Sequence, residues 1–153
     1  MSEAGNEPRL LIPQLKAFYV WVEPVSWLLI RMTVGLMILP HGWPKLMAGI
    51  EATAAQSFVR RGLWVGAAEP LAVFLILLET VGGVCVALGL FTRFFAAAIT
   101  IQMATIVSIY LPKGYGWTHP GYEYAMMWGL VMFAIALRGG GPYSLDRKIG
   151  WQL

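Results

Sequence analysis

The chain has 153 residues, of which 58% are hydrophobic and 12% charged, with a net charge of +3. An average soluble domain is about a quarter charged, so this chain has too few polar side chains for an aqueous surface, and a soluble globular fold is excluded. The small positive charge comes with no basic stripe or nucleic-acid motif and reads as lysines and arginines at a membrane surface, which makes the lipid bilayer the expected partner and not nucleic acid.

In chain order, Met1 to Asn6 are acidic and polar, and the first apolar run begins late and runs long, so no cleavable signal is expected. Four apolar spans follow, Val20 to Leu39, Leu71 to Leu90, Phe94 to Leu111 and Tyr122 to Leu137, the last being short unless Trp117 to Gly121 contribute at the interface. Spans of about 20 residues suit a bilayer. Residues 1–153 therefore read as a single all-α domain, an integral membrane four-helix bundle with short connections and one longer outer loop. Pro24 is expected in the first turn of the first span and Pro40 with Pro44 at its end; Pro70 is expected to open the second, Gly89 and Thr92 to form a tight turn, and Pro112 to end the third. Tyrosines and tryptophans gather at these borders as an interfacial belt. The long connection runs from His41 to Glu69, and Ile50 to Gly62 within it has the pattern of a short amphipathic helix on the outer surface. With the N-terminus inside, Arg9, Lys16, Arg93, Arg138, Arg147 and Lys148 lie inside, against Lys45, Arg60, Arg61 and Lys113 outside. That excess favours N-in and C-in.

Two ionisable residues lie deep in apolar runs, Arg31 in the first and Glu79 in the second. Such residues are costly in lipid, so they face the protein interior and are paired. Counting from His41 and from Pro70 puts each about 15 Å deep, so they are expected to meet within about 4 Å as an ion pair, with Gln102 on the third span at a similar height. Arg31 shares a helical stripe with Gly35 and Gly42, and Glu79 with Gly82 and Gly89. Small residues let membrane helices approach. This polar core, Arg31, Glu79 and Gln102, reads either as a pair that fixes helix register or as the boundary of a ligand or proton site.

A second group, His41, Trp43, Lys45, His119 and Glu123, is expected to share an outer vestibule. Two imidazoles and a carboxylate have metal-binding chemistry, but their non-local spacing specifies no site, and no metal is expected. The histidines read alternatively as proton donors or acceptors at a quinone head group, or as interfacial hydrogen-bonding and capping residues. Cys85 is the only cysteine, so neither an internal disulfide nor a CxxC dithiol can form, and the methionines read as packing.

The order of these residues resembles the DoxX family. Arg31 and Gly35 are followed by H-G-x-x-K (His41, Gly42, Lys45), E-x-x-G-G (Glu79, Gly82, Gly83) and G-L-x-T-R (Gly89, Leu90, Thr92, Arg93). Glu123 and the stretch from Gly139 to Asp146 extend the resemblance over about Ser26 to Asp146. The resemblance implies a four-helix protein of a bacterial or archaeal cytoplasmic (inner) membrane, linked to redox chemistry through relatives such as the membrane part of thiosulfate:quinone oxidoreductase and complexes handling thiols and oxidative stress. No haem pair or flavin fingerprint is present, so electrons would be carried by a quinone or a partner protein. The expectation is a quinone-facing or membrane-anchoring subunit of a redox complex, with a protein partner or a second copy. The alternative is a non-catalytic scaffold or small-solute carrier built on the same polar core.

Overall fold

A computed structural model describes residues 10–116 and 118–152, so Arg9, Trp117 and the acidic N-terminal stretch lie outside the described residues. The regular structure among those residues is helical. This is the economical solution for an apolar chain, since a helix satisfies its own backbone polar groups where water is absent. In order come α1 (Lys16–Met37), α2 (Leu39–Ala48), α3 (Ile50–Ser57), α4 (Val65–Leu77), a π-helical turn (Leu78–Gly82), α5 (Gly83–Leu88), α6 (Thr92–Tyr110), α7 (Glu123–Arg138) and α8 (Leu145–Ile149).

Three continuous rods, Pro13–Ala48, Val65–Leu88 and Thr92–Lys113, are long and apolar enough to cross a membrane. The 16-residue α7 lies antiparallel along α6: Arg93 donates to the Leu137 carbonyl at one end, while Gly129 meets Met103 farther along. One core, formed by residues including Trp27, Val34, Ile38, Leu78, Val86, Ile99, Met132 and Ile135, ties the rods together. Outward-facing side chains such as Phe94 on α6 and Leu130 and Leu137 on α7 are apolar and exposed, as lipid contact requires.

The prolines do not mark the ends expected of them. Pro24 lies well inside α1, α2 continues the first rod through Pro40 and Pro44, and α4 starts at Val65, upstream of Pro70. A proline removes one ladder bond, and the adjoining turns carry the helix on. At Pro40 the cost is small because Ile38 acts as a junction between α1 and α2, placing Pro40 in the first turn of the restarted helix. The third rod does end at its proline, in a 3-10 turn over Leu111–Lys113. The α5–α6 turn is tight as expected, with Gly89 at φ 74° and Phe91 at φ 46°. The segment beginning at Ile50 is helical, but it does more than lie on a surface: Ala54 is buried against Ala68 and Ala72 of α4, with Phe58 and Val59 beside them.

The backbones of the first and second rods approach closely. A Cβ on Gly35 would stand 2.7 Å from the Gly83 carbonyl oxygen, one on Gly83 would stand 2.7 Å from the Gly35 carbonyl oxygen, and one on Gly42 would stand 2.7 Å from the Glu79 Cβ. The glycine-lined contact expected from the sequence is therefore present, although Gly83 supplies it where Gly82 was expected; Gly82 turns toward Phe95. Because backbone atoms cannot yield as side chains do, Gly83→Ala is expected to destabilise the protein by about 1–3 kcal/mol. Thermal unfolding in detergent checks this, and an unchanged midpoint would refute the backbone contact.

Candidate functional site

The glycine register decides which polar groups meet. Gly42 abuts Glu79, and Gly35 abuts Gly83 and Ala87, so Arg31 falls beside Gly89 at the α5–α6 turn. Along the helix, Arg31 is eleven residues from Gly42, or about 16 Å. The expected Arg31–Glu79 pair does not form. The depth count failed because its origins, His41 and Pro70, lie inside longer helices and not at their ends, which displaces one rod against the other.

Glu79 instead pairs with Lys45. Its side chain sits in the π turn, 4% exposed, and Oε2 forms the salt bridge with Lys45 Nζ, the only salt bridge among the described residues. Oε1 accepts from Gln102 Nε2 at 2.7 Å, and Lys45 Nζ also donates to the His41 carbonyl at 2.9 Å. Gln102 Oε1 is buried without a hydrogen-bond partner among the described residues. An unmet buried acceptor of this kind costs about 1–3 kcal/mol. The lysine was legible only as a member of the vestibule. Its link to Glu79 follows from α2 continuing past Pro40 and Pro44, which turns Lys45 toward the second rod.

This cluster separates two cavities. One, of about 290 Å³, is lined by residues including Ile38, His41, Met103, Tyr124 and Trp128; the other, of about 450 Å³, by Phe58, Leu71, Phe74, Leu78, Ile101 and Gln102 among others. Lys45, Glu79, Ile106 and Tyr110 border both. Tyr124 and Trp128 stack with centroids 5.2 Å apart, giving the smaller cavity a flat aromatic wall.

The other expected vestibule residues scatter. Trp43 is 60% exposed and borders neither cavity. His119 is exposed in the α6–α7 connection, and Glu123 begins α7 with its backbone N–H bonded to the Tyr115 carbonyl. Among the described residues no group of three or more His, Cys, Asp or Glu side chains could hold a metal ion. Cys85 is a half-buried free thiol.

Arg31 belongs to a second polar centre. Buried to 1% exposure, it donates through Nη1 to the Gly140 carbonyl and through Nη2 to the Tyr143 carbonyl at 2.7 Å, while Trp27 Nε1 donates to the Gly139 carbonyl at 3.1 Å. Buried Asp146 accepts from Phe91 N, Thr92 N and Thr92 Oγ1 at 2.7, 3.0 and 2.6 Å, capping α6 from across the fold. Arg93 covers the carbonyl end of α7 through Ala136 and Leu137. The stretch after α7 is thus fastened at both of the motifs flanking it in space, a role that the spacing of Asp146 alone did not disclose.

With this geometry established, comparison with known proteins identifies the group to which the chain is related: the DoxX family model matches residues 26–111. The chain belongs to the DoxX family. No curated protein and no solved structure matches it. The matched DoxX region contains Arg31, Lys45, Glu79, Gln102 and both glycine contacts, and it stops at Leu111, short of His119, Glu123 and Asp146.

Removing one member of a buried pair strands the other. Lys45→Met is therefore expected to cost about 3 kcal/mol, the low end for a broken buried pair because Lys45 keeps some exposure, whereas Lys45→Met with Glu79→Leu is expected to cost less than Lys45→Met alone. A double-mutant cycle on unfolding midpoints tests the coupling, and strict additivity would refute it.

Proposed function

We propose that this DoxX-family protein is a quinone-facing or membrane-anchoring subunit of a redox complex in the thiol- or sulfur-compound-oxidising class. We place it in a bacterial or archaeal cytoplasmic membrane, with α7 as a fourth crossing and both termini inside. The observation that carries the reading is the buried Glu79–Lys45–Gln102 cluster set between two largely apolar cavities. A small-molecule site is typically an apolar space of about 300–1,000 Å³ with a few convergent polar groups.

The residues fit a quinone. A bound quinone would supply the electron acceptor that this chain, lacking haem and flavin signatures and a dithiol, does not. Lys45 Nζ has three protons, two of them engaged by Glu79 and the His41 carbonyl, and the third is available to a carbonyl oxygen. Tyr124 and Trp128 offer a flat wall for a ring, Glu79 can hold a proton at its carboxylate, and His41 borders the same cavity. Arg31 and Trp43 have no part in this arrangement, since neither borders the cavities.

A radiolabelled short-chain quinone is expected to bind the purified protein saturably, and Glu79→Gln and Lys45→Met to weaken that binding by about tenfold, the loss of one charge-assisted hydrogen bond. His41→Ala and Glu79→Gln should lower quinone reduction by the native complex with its assembly intact. Undiminished binding and activity in assembled variants would favour the scaffold or carrier reading. For topology, single cysteines at Gln56 and Gln152 in a Cys85→Ser background should label from opposite sides of intact cells; labelling from one side would refute the odd number of crossings between them.

A further inference from the structure

At the end of the fold where Asp146 caps α6, the arginines divide into two kinds. Arg31 and Arg93 are committed to backbone carbonyls. Arg138 and Arg147 border a cavity of about 440 Å³ together with Gly141, Gly150 and Gln152, and among the described residues neither guanidinium has a hydrogen-bond or carboxylate partner. Asp146 is the one carboxylate bordering the same space, and its oxygens are turned to Phe91 and Thr92. Two guanidiniums against one carboxylate leave the cavity net positive, and guanidinium forks suit phosphate oxygens.

Arg138 is also held in place. Its guanidinium lies over the Trp27 ring at 4.3 Å, and Trp27 is itself fixed by its bond to the Gly139 carbonyl. Stacking of this kind restricts a long side chain before any ligand arrives. The surroundings are those of a membrane border. Trp151, 79% exposed, neighbours Gln152 at the cavity, and Leu130, Phe133 and Leu137 form an exposed apolar stripe on α7 that ends beside Arg138. Tryptophans mark head-group depth, and an apolar stripe below a cationic site suits an acyl chain.

We infer that Arg138 and Arg147 form a binding site for a phosphate ester, supplied by the head group of an anionic phospholipid whose acyl chain lies along Leu130, Phe133 and Leu137. Binding joins the end of α7 to α8 and so strengthens the fastening made by Arg31 and Asp146. This site is separate from the Glu79 cluster and does not depend on quinone binding.

The test compares the full chain in nanodiscs of phosphatidylcholine alone with nanodiscs containing phosphatidylglycerol, by unfolding midpoint and by lipid retained in native mass spectrometry. Phosphatidylglycerol is expected to raise the midpoint and to remain bound in preference to phosphatidylcholine. Arg147→Gln, on an exposed surface, is expected to lower its affinity about tenfold, and Arg138→Gln with Arg147→Gln to abolish the preference. Arg60→Gln with Lys113→Gln, the same charge change elsewhere, should leave it intact. Equal loss in that control, or no preference in the unaltered protein, would overturn the site. Inorganic phosphate added to phosphatidylcholine nanodiscs is the remaining arm: an equal rise in midpoint, with nothing gained from phosphatidylglycerol, would overturn the lipid source.

Discussion

Contact between the backbones of the first two rods governs the rest of the molecule. Gly35, Gly42 and Gly83 admit an approach that any Cβ would block, and the contact is rigid because it is made by backbone atoms. Within a membrane no hydrophobic force draws helices together, so close packing of small residues takes that place. Once Gly42 lies on Glu79 and Gly35 on Gly83, the heights of all buried polar groups are set. Lys45 is brought to Glu79, and Arg31 is left at the α5–α6 turn, where the stretch after α7 can reach it.

The π turn over Leu78–Gly82 belongs to the same arrangement. It interrupts the regular ladder at Glu79, and irregularities of this type recur at functional sites because they redirect a side chain that a uniform helix would hold elsewhere. Here the redirected carboxylate stands between two cavities, with Lys45 on one rod and Gln102 on another. Three helices thus converge on one carboxylate, and the close backbone contact of the first two rods lies immediately beside it. A rigid frame next to a polar centre keeps its hydrogen bonds aligned at little entropic cost.

The sequence disclosed what depended on composition and local pattern. Arg31 and Glu79 were legible as buried because a charge inside an apolar run has nowhere else to go, and glycine spacing marked the contact face. Depth was not legible. Pro24, Pro44 and Pro70 have a strong local preference for a helix end that tertiary packing overrode, and Pro40 only begins a helix that continues the first rod, so counts begun at His41 and Pro70 carried that error to Arg31 and Glu79. Lys45 was seen at the right end of the fold but without its partner, since its reach depends on α2 continuing through two prolines. Asp146 was visible only as part of a family pattern; a cap that joins residues so far apart in sequence leaves no periodic trace.

The two buried polar centres differ in what surrounds them, and this bears on their roles. Nη1 and Nη2 of Arg31 are engaged by the Gly140 and Tyr143 carbonyls, Nε is buried without a partner among the described residues, and Arg31 borders none of the three cavities. A charge enclosed in this way satisfies carbonyls that would otherwise be orphaned at the end of α7, which is a structural task. Glu79 is also buried, but its pair forms part of the wall of two cavities, and among the described residues Lys45 Nζ engages two acceptors with its three protons. Burial alone therefore does not separate the fastening from the site; access does. Where a buried ion pair has a vacant donor and an adjoining apolar space, the cost of desolvating it is offset in part whenever a ligand supplies the missing acceptor. Only the Glu79 centre meets that condition.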